Sequence, residues 1–419
     1  MPEISSPPVS SADIAAARAR IQGDIPPTPV IYSETLSRES GCELYLKLEN
    51  LQVTGCYKER GALNALLQLT PEERERGVIA ASAGNHAQAV SYHAGRLGIR
   101  SRIFMPLYTP LVKVTATERW GAEVVLHGDT FDDSLAEARL RAQESGAVFL
   151  HAFNDARVIA GQGTIGLELL EQVPDLDAVM VPVGGGGLIG GIGCALKSAN
   201  PNIRVIGVEP ETSPAMLRAL KAGSIVRIER KPTIADGVLV RRVGDLTFAL
   251  ARKWVDEIVT VDEEAIARAI LHLLERHKML AEGAGALGLA ALLDHQAEGT
   301  GDLSEPFGLK GKKTVIVISG GNIDVMLLSN IIERGLVRDG RLIRLRISLP
   351  DHPGSLHRLT TKIAHERANI VHVVHDRAYY GVHLGQAKID VTAETRSEEH
   401  AQQLMDALGA AGYQFERVL

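Results

Sequence analysis

The segment TGCYKERGA, residues 54–62, places Lys58 between an aromatic ring and an acid and flanks it with Gly55 and Gly61. A lysine amine that its surroundings hold in place is a nucleophile that can form an imine with a carbonyl compound. Most lysines, however, are solvated surface charges. These nine residues suggest a chemical role for Lys58 without assigning it, so the rest of the chain must decide.

A glycine run in VPVGGGGLIGG, residues 181–191, stands between an apolar strand and an apolar helix. Glycines at such a turn let backbone N–H groups crowd around an anion, which the helix dipole also favours. The alternative is a tight turn alone, but four adjacent glycines cost much chain entropy without a structural need. The run therefore predicts a phosphate site.

The same run also fits a dinucleotide-binding fingerprint. Gly185, Gly187 and Gly190 satisfy GxGxxG, and Glu209 ends the next predicted strand, where an acid would meet a ribose hydroxyl. A nicotinamide or flavin enzyme is therefore a second interpretation, although it leaves the polar loops elsewhere in the chain unexplained.

Two further loops place small polar side chains at predicted strand ends. ASAGNHAQAV, residues 81–90, offers Ser82, Asn85 and His86 at the start of a helix, where they suit a carboxylate or a phenolic oxygen. Capping of that helix by Ser82 or Asn85 is the alternative. VISGGNID repeats the design, with Ser319 at a strand end before two glycines.

The elements that must position these loops alternate between strands and helices. Short Val/Ile-rich runs between helical patterns predict parallel strands covered on both faces. Ligands of such an α/β architecture bind at the carboxyl ends of the strands. The predicted strands are 77–82, 101–106, 122–128, 178–183, 203–209 and 313–319, and helices are expected from about Ser11 and about His86.

The pattern changes after about residue 340. LIRLRISLPD alternates apolar and polar residues, as a half-buried antiparallel strand does. The predicted elements that follow are a helix from about Gly354, strands near 369–377 and 383–393, a helix near 397–410 and a last strand over 413–419. This βαββαβ order predicts a ferredoxin-like unit, and the polar stretch 333–341 is typical of a linker before it.

Composition excludes several classes of protein. A chain of 419 residues with 45% hydrophobic and 23% charged residues predicts two or three globular domains. A net charge of -6 without a basic run argues against nucleic acid as a partner. Three cysteines without a CxxC pair argue against disulfides and zinc. No secretory leader or membrane-spanning stretch is evident, so a cytoplasmic protein is expected.

Seven segments together carry a resemblance: LENLQVTGCYKERGA, SAGNHAQ, AGQGTIGLEL, VGGGGLIGG, IADGV, EGAGA and SGGN, in this order. The chain resembles the fold-type II pyridoxal-phosphate enzymes, and within them the threonine dehydratases. The C-terminal unit, with DHPGSL after its first strand, resembles an ACT domain. The resemblance implies a catalytic region at 1–335, with a smaller α/β subdomain at about 50–155 inserted in a larger one. A linker at 336–341 and an ACT domain at 342–419 would follow.

The resemblance also implies roles for single residues. Lys58 would join pyridoxal 5'-phosphate as a Schiff base and take the α-proton of the substrate, with Tyr57 beside the cofactor. Asn85 would hydrogen-bond the ring hydroxyl, and Ser319 would face the pyridine nitrogen. The residues that would cradle the phosphate are Gly184, Gly185, Gly186, Gly187 and Leu188. Those that would receive the substrate carboxylate are Ser82, Ala83, Gly84, Asn85 and His86.

The implied reaction is β-elimination of L-threonine to 2-oxobutanoate and ammonia, and of L-serine to pyruvate. A serine at the pyridine nitrogen can only share a hydrogen bond, whereas an aspartate would hold the ring protonated as a strong electron sink. The neutral ring suits rapid elimination better than transamination. The family usually has TGSFK, so Cys56 and Tyr57 are departures; redox control through Cys56 is one hypothesis.

Alternatives to this reaction stay open within and outside the family. A serine racemase would need a serine where Ala83 stands, and its metal-binding acids match only at Glu209, since Ala215 replaces the other. No metal site is therefore expected. A 3-hydroxyaspartate ammonia-lyase is a further alternative, and a non-enzymatic amino-acid sensor is a distant one.

The C-terminal unit would regulate the enzyme. By resemblance, ACT domains pair across subunits and bind amino acids, so a homodimer or homotetramer is expected. Isoleucine or valine is the expected effector, consistent with a place in isoleucine biosynthesis. The candidate effector residues are Asp351, His352, Pro353, Gly354, Ser355 and Leu356.

Overall fold

The computed structural model describes residues 7–229, 231–297, 306–376 and 385–418. The chain divides into two compact units, Met1–Ile323 and Asp324–Leu419. In the described residues, no helix has the length and apolar character needed to cross a bilayer.

A six-stranded sheet forms the centre of the first unit. Its strand order is β1-β2-β10-β7-β8-β9, with β1 antiparallel to β2 and all other neighbours parallel. The strands are β1 (Val30–Tyr32), β2 (Glu43–Leu48), β7 (Ala178–Pro182), β8 (Arg204–Pro210), β9 (Glu257–Val261) and β10 (Lys313–Ile318). The predicted strands 178–183, 203–209 and 313–319 are confirmed as β7, β8 and β10. Strands β1, β2 and β9 were not predicted.

A second, four-stranded parallel sheet lies in the same unit, with the order β5-β4-β3-β6. Its strands are β3 (Val78–Ala81), β4 (Ser101–Met105), β5 (Glu123–Leu126) and β6 (Val148–Phe149). All four fall within the stretch 50–155 that was expected to form a smaller subdomain. That subdomain boundary itself stays a prediction.

Helices connect and cover the strands. Those of the first unit are α1 (Ser11–Ile21), α2 (Glu34–Ser40), α3 (Lys58–Leu67), α4 (Pro71–Arg76), α5 (Asn85–Arg96), α6 (Leu111–Glu118), α7 (Phe131–Ser145), α8 (Ala156–Gln172), α9 (Gly187–Ala199), α10 (Ala215–Ala222), α11 (Asp245–Trp254), α12 (Glu263–His277) and α13 (Gly283–Ala297). Strands β7, β8 and β10 are buried almost throughout. Their continuous Val/Ile runs follow from this, because helices shield both faces of a parallel sheet.

A buried ion cluster joins α3 to β2 and α8. Arg60 pairs with both oxygens of Glu49, each at 2.8 Å, and also contacts Glu168. Lys47 contacts Glu168 as well. Each of these four side chains is at most 5% exposed, so the helix that begins at Lys58 is anchored by charges that have no water to replace a lost partner.

The second unit has the expected βαββαβ order after one leading helix. Its elements are α14 (Val325–Arg338), β11 (Leu342–Pro350), α15 (Ser355–His365), β12 (Asn369–Asp376), β13 (Gln386–Glu394), α16 (Glu398–Ala410) and β14 (Gln414–Val418). The antiparallel sheet order β12-β13-β11-β14 is that of a ferredoxin-like unit. Residues 377 and 383–384, at the predicted ends of two strands, and residue 419 lie outside the described residues.

The alternation in β11 gives the second unit its core. Ile343, Leu345, Ile347 and Leu349 are all buried, while the residues between them face outward or are half-buried. Helix α14 extends into the stretch 336–341 and ends at Arg338. The first residues of the predicted linker are therefore helical. The predicted linker and the domain limits at 335 and 342 stay predictions.

Candidate active site

Lys58 is the first residue of α3 and is half-buried. Its Nζ donates to the carbonyl oxygen of Ala152 at 3.1 Å and lies 5.0 Å from the centroid of the Tyr57 ring. The amine is therefore held at the start of a helix and beside a loop of the four-stranded sheet.

The Lys58 loop is joined to the end of β10 by backbone contacts. Tyr57 N–H donates to the carbonyl of Ser319 at 3.1 Å, and Gly321 N–H donates to that of Gly55 at 2.9 Å. Between these bonds, Cys56 and Gly320 form a β-bridge. The segments TGCYK and SGGN, far apart in the sequence, thus form one ladder, and Ser319 is 2% exposed beside it.

The glycine run forms the turn between β7 and α9. Gly186 has φ +89°, which only glycine adopts without strain. A Cβ on Gly184 would lie 2.8 Å from the Val238 backbone, and one on Gly185 would lie 2.2 Å from the Phe153 ring. The first bond of the following helix is from Gly190 to Gly186, so the amides of the turn before it are left for a ligand.

The loop HAFN, residues 151–154, connects this glycine turn to Lys58. Ala152 accepts from the lysine, and the next residue, Phe153, packs its ring against Gly185. His151 Nδ1 accepts the N–H groups of Phe153 and Asn154. Burial, with the charges of Arg139 and Lys58, lowers the pKa of His151 to about 4. The imidazole is therefore neutral and keeps its acceptor nitrogen at neutral pH.

Asn85 begins α5, but it does not cap the helix, since Gly84 is the N-cap and no side chain closes it. The Ser82 hydroxyl accepts the N–H of Gly84 at 3.2 Å. Asn85 instead donates from Nδ2 to Glu282 at 2.7 Å and accepts at Oδ1 from Asn322 at 2.8 Å. The capping alternative for this loop is thus wrong, and the Asn85 amide faces the other loops.

The His86 ring points away from the loop. It is 3% exposed, and Nε2 lies 3.1 Å from the carbonyl oxygen of Leu150. Burial, with the charge of Lys58, lowers the pKa of His86 to about 3. A neutral ring turned inward brings no charge to a carboxylate, so His86 can serve such a ligand only through its backbone N–H. Ala83, in the same loop, is half-buried.

Glu209 has a different role from that of a ribose ligand. It is fully buried in β8, and its two oxygens accept the N–H groups of Met216 and Leu217 at 2.8 and 2.9 Å. The acid therefore caps α10, which begins at Ala215, and the dinucleotide interpretation is wrong. Burial raises the pKa of Glu209 to about 7. Within the described residues, no cluster of three His, Cys, Asp or Glu side chains could hold a metal ion.

Cys56 is fully buried, and burial raises the pKa of its thiol. A buried thiol with a raised pKa is a poor nucleophile and a poor target of oxidants. This argues against redox control at the point where the segment departs from TGSFK.

Sequence reasoning missed three parts of this site: the Ala152 carbonyl, Asn322 and Glu282. Glu282 stands in EGAGA, a motif that contributes to the family resemblance but to which the sequence assigned no role. It is 5% exposed, and burial, with the negative charge of Asp236, raises its pKa to about 7. A buried acid before a glycine-rich helix start was the signal that could have identified it.

The candidate effector residues lie in the second unit, between β11 and α15. Gly354 has φ +87° and is the N-cap of α15. Ser355 Oγ lies 3.0 Å from His352 Nδ1 and accepts from Arg358 at 3.1 Å. Asp351 N–H donates to the Gly385 carbonyl at 2.9 Å. Asp351 to Gly354 are exposed, Ser355 is buried and Leu356 is half-buried.

The first unit thus combines a held lysine, a glycine turn at a helix start, and polar side chains at the ends of two further elements. The family model described as "Pyridoxal-phosphate dependent enzyme" matches residues 21–320. The chain belongs to the pyridoxal-phosphate dependent enzyme family. Its second unit is an ACT domain, since the family model described as "ACT domain" matches residues 343–412.

One relative matches nearly the whole chain, and two solved structures match about three quarters of it. The L-threonine ammonia-lyase of Thermotoga maritima is 49% identical over 97% of this chain and 98% of its own length. A serine racemase of Dictyostelium discoideum is 39% identical, with a TM-score of 0.70, over 76% of this chain and 100% of that one. Threonine deaminase isoform 2 of Solanum lycopersicum is 35% identical, with a TM-score of 0.71, over 78% and 90%.

The cofactor of this family is pyridoxal phosphate, and the residues present fit it. The glycine turn between β7 and α9 leaves no room for side chains at Gly184 and Gly185 and presents backbone amides, as a phosphate requires. Lys58 carries a primary amine, the group that an aldehyde requires for an imine. No described residue hydrogen-bonds the Ser319 hydroxyl, so it can meet the ring.

Proposed function

We propose that this chain removes ammonia from L-threonine to give 2-oxobutanoate, and from L-serine to give pyruvate. The observation that carries the proposal is the position of Lys58, whose Nζ is held by the Ala152 carbonyl next to the phosphate-type glycine turn. The relative from Thermotoga maritima, an L-threonine ammonia-lyase, supports this substrate.

In the proposed site, Lys58 would hold the aldehyde carbon of pyridoxal phosphate, and Gly184–Leu188 its phosphate. When bound, the cofactor supplies an electron sink for negative charge at the α-carbon of an amino acid. The free amine of Lys58 would take the α-proton of the substrate. The Ala152 carbonyl oxygen accepts a hydrogen bond from the Lys58 amine and so fixes its position. The β-hydroxyl would leave as water with the proton that Lys58 has taken, and hydrolysis of the released enamine would give ammonia and the 2-oxo acid.

The remaining residues bind and orient. Asn85 would donate to the ring hydroxyl of the cofactor, and Ser319 would face the pyridine nitrogen. The loop Ser82–His86 would receive the substrate carboxylate, with backbone N–H groups and the Ser82 hydroxyl as donors. Because the His86 ring points to Leu150, the loop offers neutral donors only.

Racemisation is not favoured, although a serine racemase is among the similar structures. Inverting the α-carbon requires a second proton-transfer group on the face opposite Lys58. The position from the resemblance carries Ala83, which cannot carry a proton. Elimination needs no such group.

One assay tests the proposal. The full chain with pyridoxal phosphate is incubated with L-threonine, L-serine, D-serine and 3-hydroxyaspartate, and release of 2-oxo acid is measured together with the chirality of recovered serine. L-threonine should be turned over with the highest kcat/KM. Borohydride should fix the cofactor to Lys58, as peptide mapping detects, and Lys58→Ala should lose both signals. Preferential turnover of 3-hydroxyaspartate would identify that compound, not L-threonine, as the substrate. Absence of a fixed chromophore would support a non-enzymatic sensor.

The second unit would sense an amino acid. The proposed site is Asp351–Leu356, and isoleucine or valine is the proposed effector. Its support is the ACT domain match, the left-handed Gly354 and the Arg358–Ser355–His352 contacts at the start of α15. We further propose a cytoplasmic homodimer or homotetramer, with three buried cysteines as support for a reducing compartment.

A further inference from the structure

Glu282 lies between the loops that form the proposed cofactor site. Its N–H donates to the carbonyl oxygen of Gly320 at 3.0 Å, next to Ser319. A Cβ on Gly320 would lie 2.4 Å from Glu282 Oε1, and one on Gly237 would lie 3.4 Å from it. Two glycines, in the motifs SGGN and IADGV, therefore make room for this carboxylate.

Glu282 and Asn322 together determine the orientation of the Asn85 amide. The Asn85 NH₂ group donates to Glu282 Oε1 at 2.7 Å. The Thr54 carbonyl, which can only accept, fixes the opposite end of the amide through Asn322. At the other end, Asn322 Nδ2 donates to Asn85 Oδ1 at 2.8 Å and to the Thr54 carbonyl at 2.7 Å. Both ends of Asn85 are thereby assigned, and one N–H of its NH₂ group is left for a ligand.

We propose that Glu282 is a positioning residue, which holds the Asn85 amide so that its second N–H is presented to the ring hydroxyl of the cofactor. Without Glu282 only the bond from Asn322 would hold the amide, and the NH₂ group could then turn away from that hydroxyl oxygen. The inference rests on the proposed cofactor role of Asn85. It gives a function to Glu282, and hence to the EGAGA motif. This function is separate from the binding of the phosphate and of the substrate.

The test is equilibrium dialysis of the full chain against pyridoxal phosphate, with wild type, Glu282→Ala, Asn85→Ala and the double variant. Removing one partner of a buried hydrogen bond should weaken cofactor binding by about tenfold in each single variant. The double variant should bind no more weakly than Asn85→Ala, because Glu282 acts through Asn85. Glu282→Gln should bind within about threefold of wild type, since its amide oxygen can accept the same bond.

The absorbance spectrum of bound cofactor is a second readout. Glu282→Ala and Asn85→Ala should alter it in the same way, and Glu282→Gln should preserve it. Glu282→Met, which retains volume without an acceptor, replaces Glu282→Ala should that variant not fold. Asp236→Asn is the matched control: it removes the negative charge near Glu282 without touching Asn85, so its binding should stay within about twofold of wild type.

Two results would overturn the inference alone: cofactor binding unchanged in both Glu282→Ala and Glu282→Met, or losses from Glu282 and Asn85 that add in the double variant. A different pattern overturns the proposed function or the proposed cofactor role of Asn85, and the inference with it. In that pattern, wild type binds no pyridoxal phosphate, or Asn85→Ala binds it as tightly as wild type.

Discussion

Tyr57 donates its backbone N–H to the carbonyl oxygen of Ser319 at 3.1 Å, so the residue before Lys58 is tied to the end of β10. The lysine and the serine of the proposed site are thus positioned by one ladder, which Cys56 and Gly320 continue. A displacement of either segment would move both groups. This coupling makes substitutions at Ser319 informative about the chemistry only if the ladder survives.

Ser319→Asp should lower kcat for L-threonine by about tenfold or more, equivalent to about 1.4 kcal/mol of transition-state stabilisation. A carboxylate there would hold the pyridine nitrogen protonated, which favours reactions other than rapid elimination. Ser319→Ala, which removes one hydrogen bond without adding charge, is the control and should retain more activity. Elimination by Ser319→Asp at the wild-type rate would show that the electronic argument is incorrect. Retained cofactor absorbance would confirm that the site is still assembled.

Gly185→Ala should lose cofactor because its Cβ would lie 2.2 Å from the Phe153 ring. We expect pyridoxal phosphate to bind about fivefold to 150-fold more weakly, since overpacking of this kind costs about 1–3 kcal/mol. Adding Phe153→Ala should restore part of the binding. Gly409→Ala is the control, since nothing lies within 4 Å of that added Cβ. Equal binding by all variants would argue against the glycine turn as the phosphate site.

Arg60→Met should destabilise the first unit by about 3–5 kcal/mol, because it leaves Glu49 without its buried partner. Arg18→Ala, which breaks an ion pair with the 60% exposed Glu171 side chain, should cost about 0–1 kcal/mol. Urea unfolding followed by tryptophan fluorescence measures both, since Trp120 and Trp254 lie in the first unit. Similar losses for the two variants would mean that the buried cluster does not anchor α3.

Glu209→Gln should change how stability depends on pH. Burial raises the pKa of Glu209 to about 7 in the folded chain, from an ordinary value of 4.5. Its contribution to stability is therefore fully present below pH 4.5 and is lost as the pH rises through about 7. The difference in melting temperature, variant minus wild type, should increase between pH 5 and pH 8. Glu282 titrates similarly in both proteins, so it cancels in the difference. Parallel curves would contradict a raised pKa.

His352→Ala and Ser355→Ala should abolish the response to isoleucine or valine while leaving activity without effector unchanged. The two side chains lie 3.0 Å apart at the start of α15, where a small acid would meet the helix N-terminus. Enzyme activity against effector concentration is the measurement. His365→Ala, on an 81% exposed side chain of the same helix, is the control. A full response in both variants would place the effector elsewhere.

The parts of the site that follow from local pattern could be predicted from the sequence. Lys58, the glycine turn and Ser319 stand at strand or helix ends, and the alternation of Val/Ile runs with helical patterns locates those ends. The partners of these residues could not be predicted, because they are remote: Glu282 is 197 residues from Asn85. Glu209 shows the opposite error, since its spacing fitted a fingerprint while its carboxylate caps α10. Spacing locates an acid on a strand but not the N–H groups that it accepts.

The burial of all three cysteines has a practical consequence. Cys42, Cys56 and Cys194 are each at most 3% exposed in the folded chain, so a maleimide dye would find no native thiol to modify. A single cysteine introduced at Tyr108, which is 83% exposed, would then carry the only label. The natural sequence thus provides a background for site-specific fluorescence experiments without removing any of its own residues.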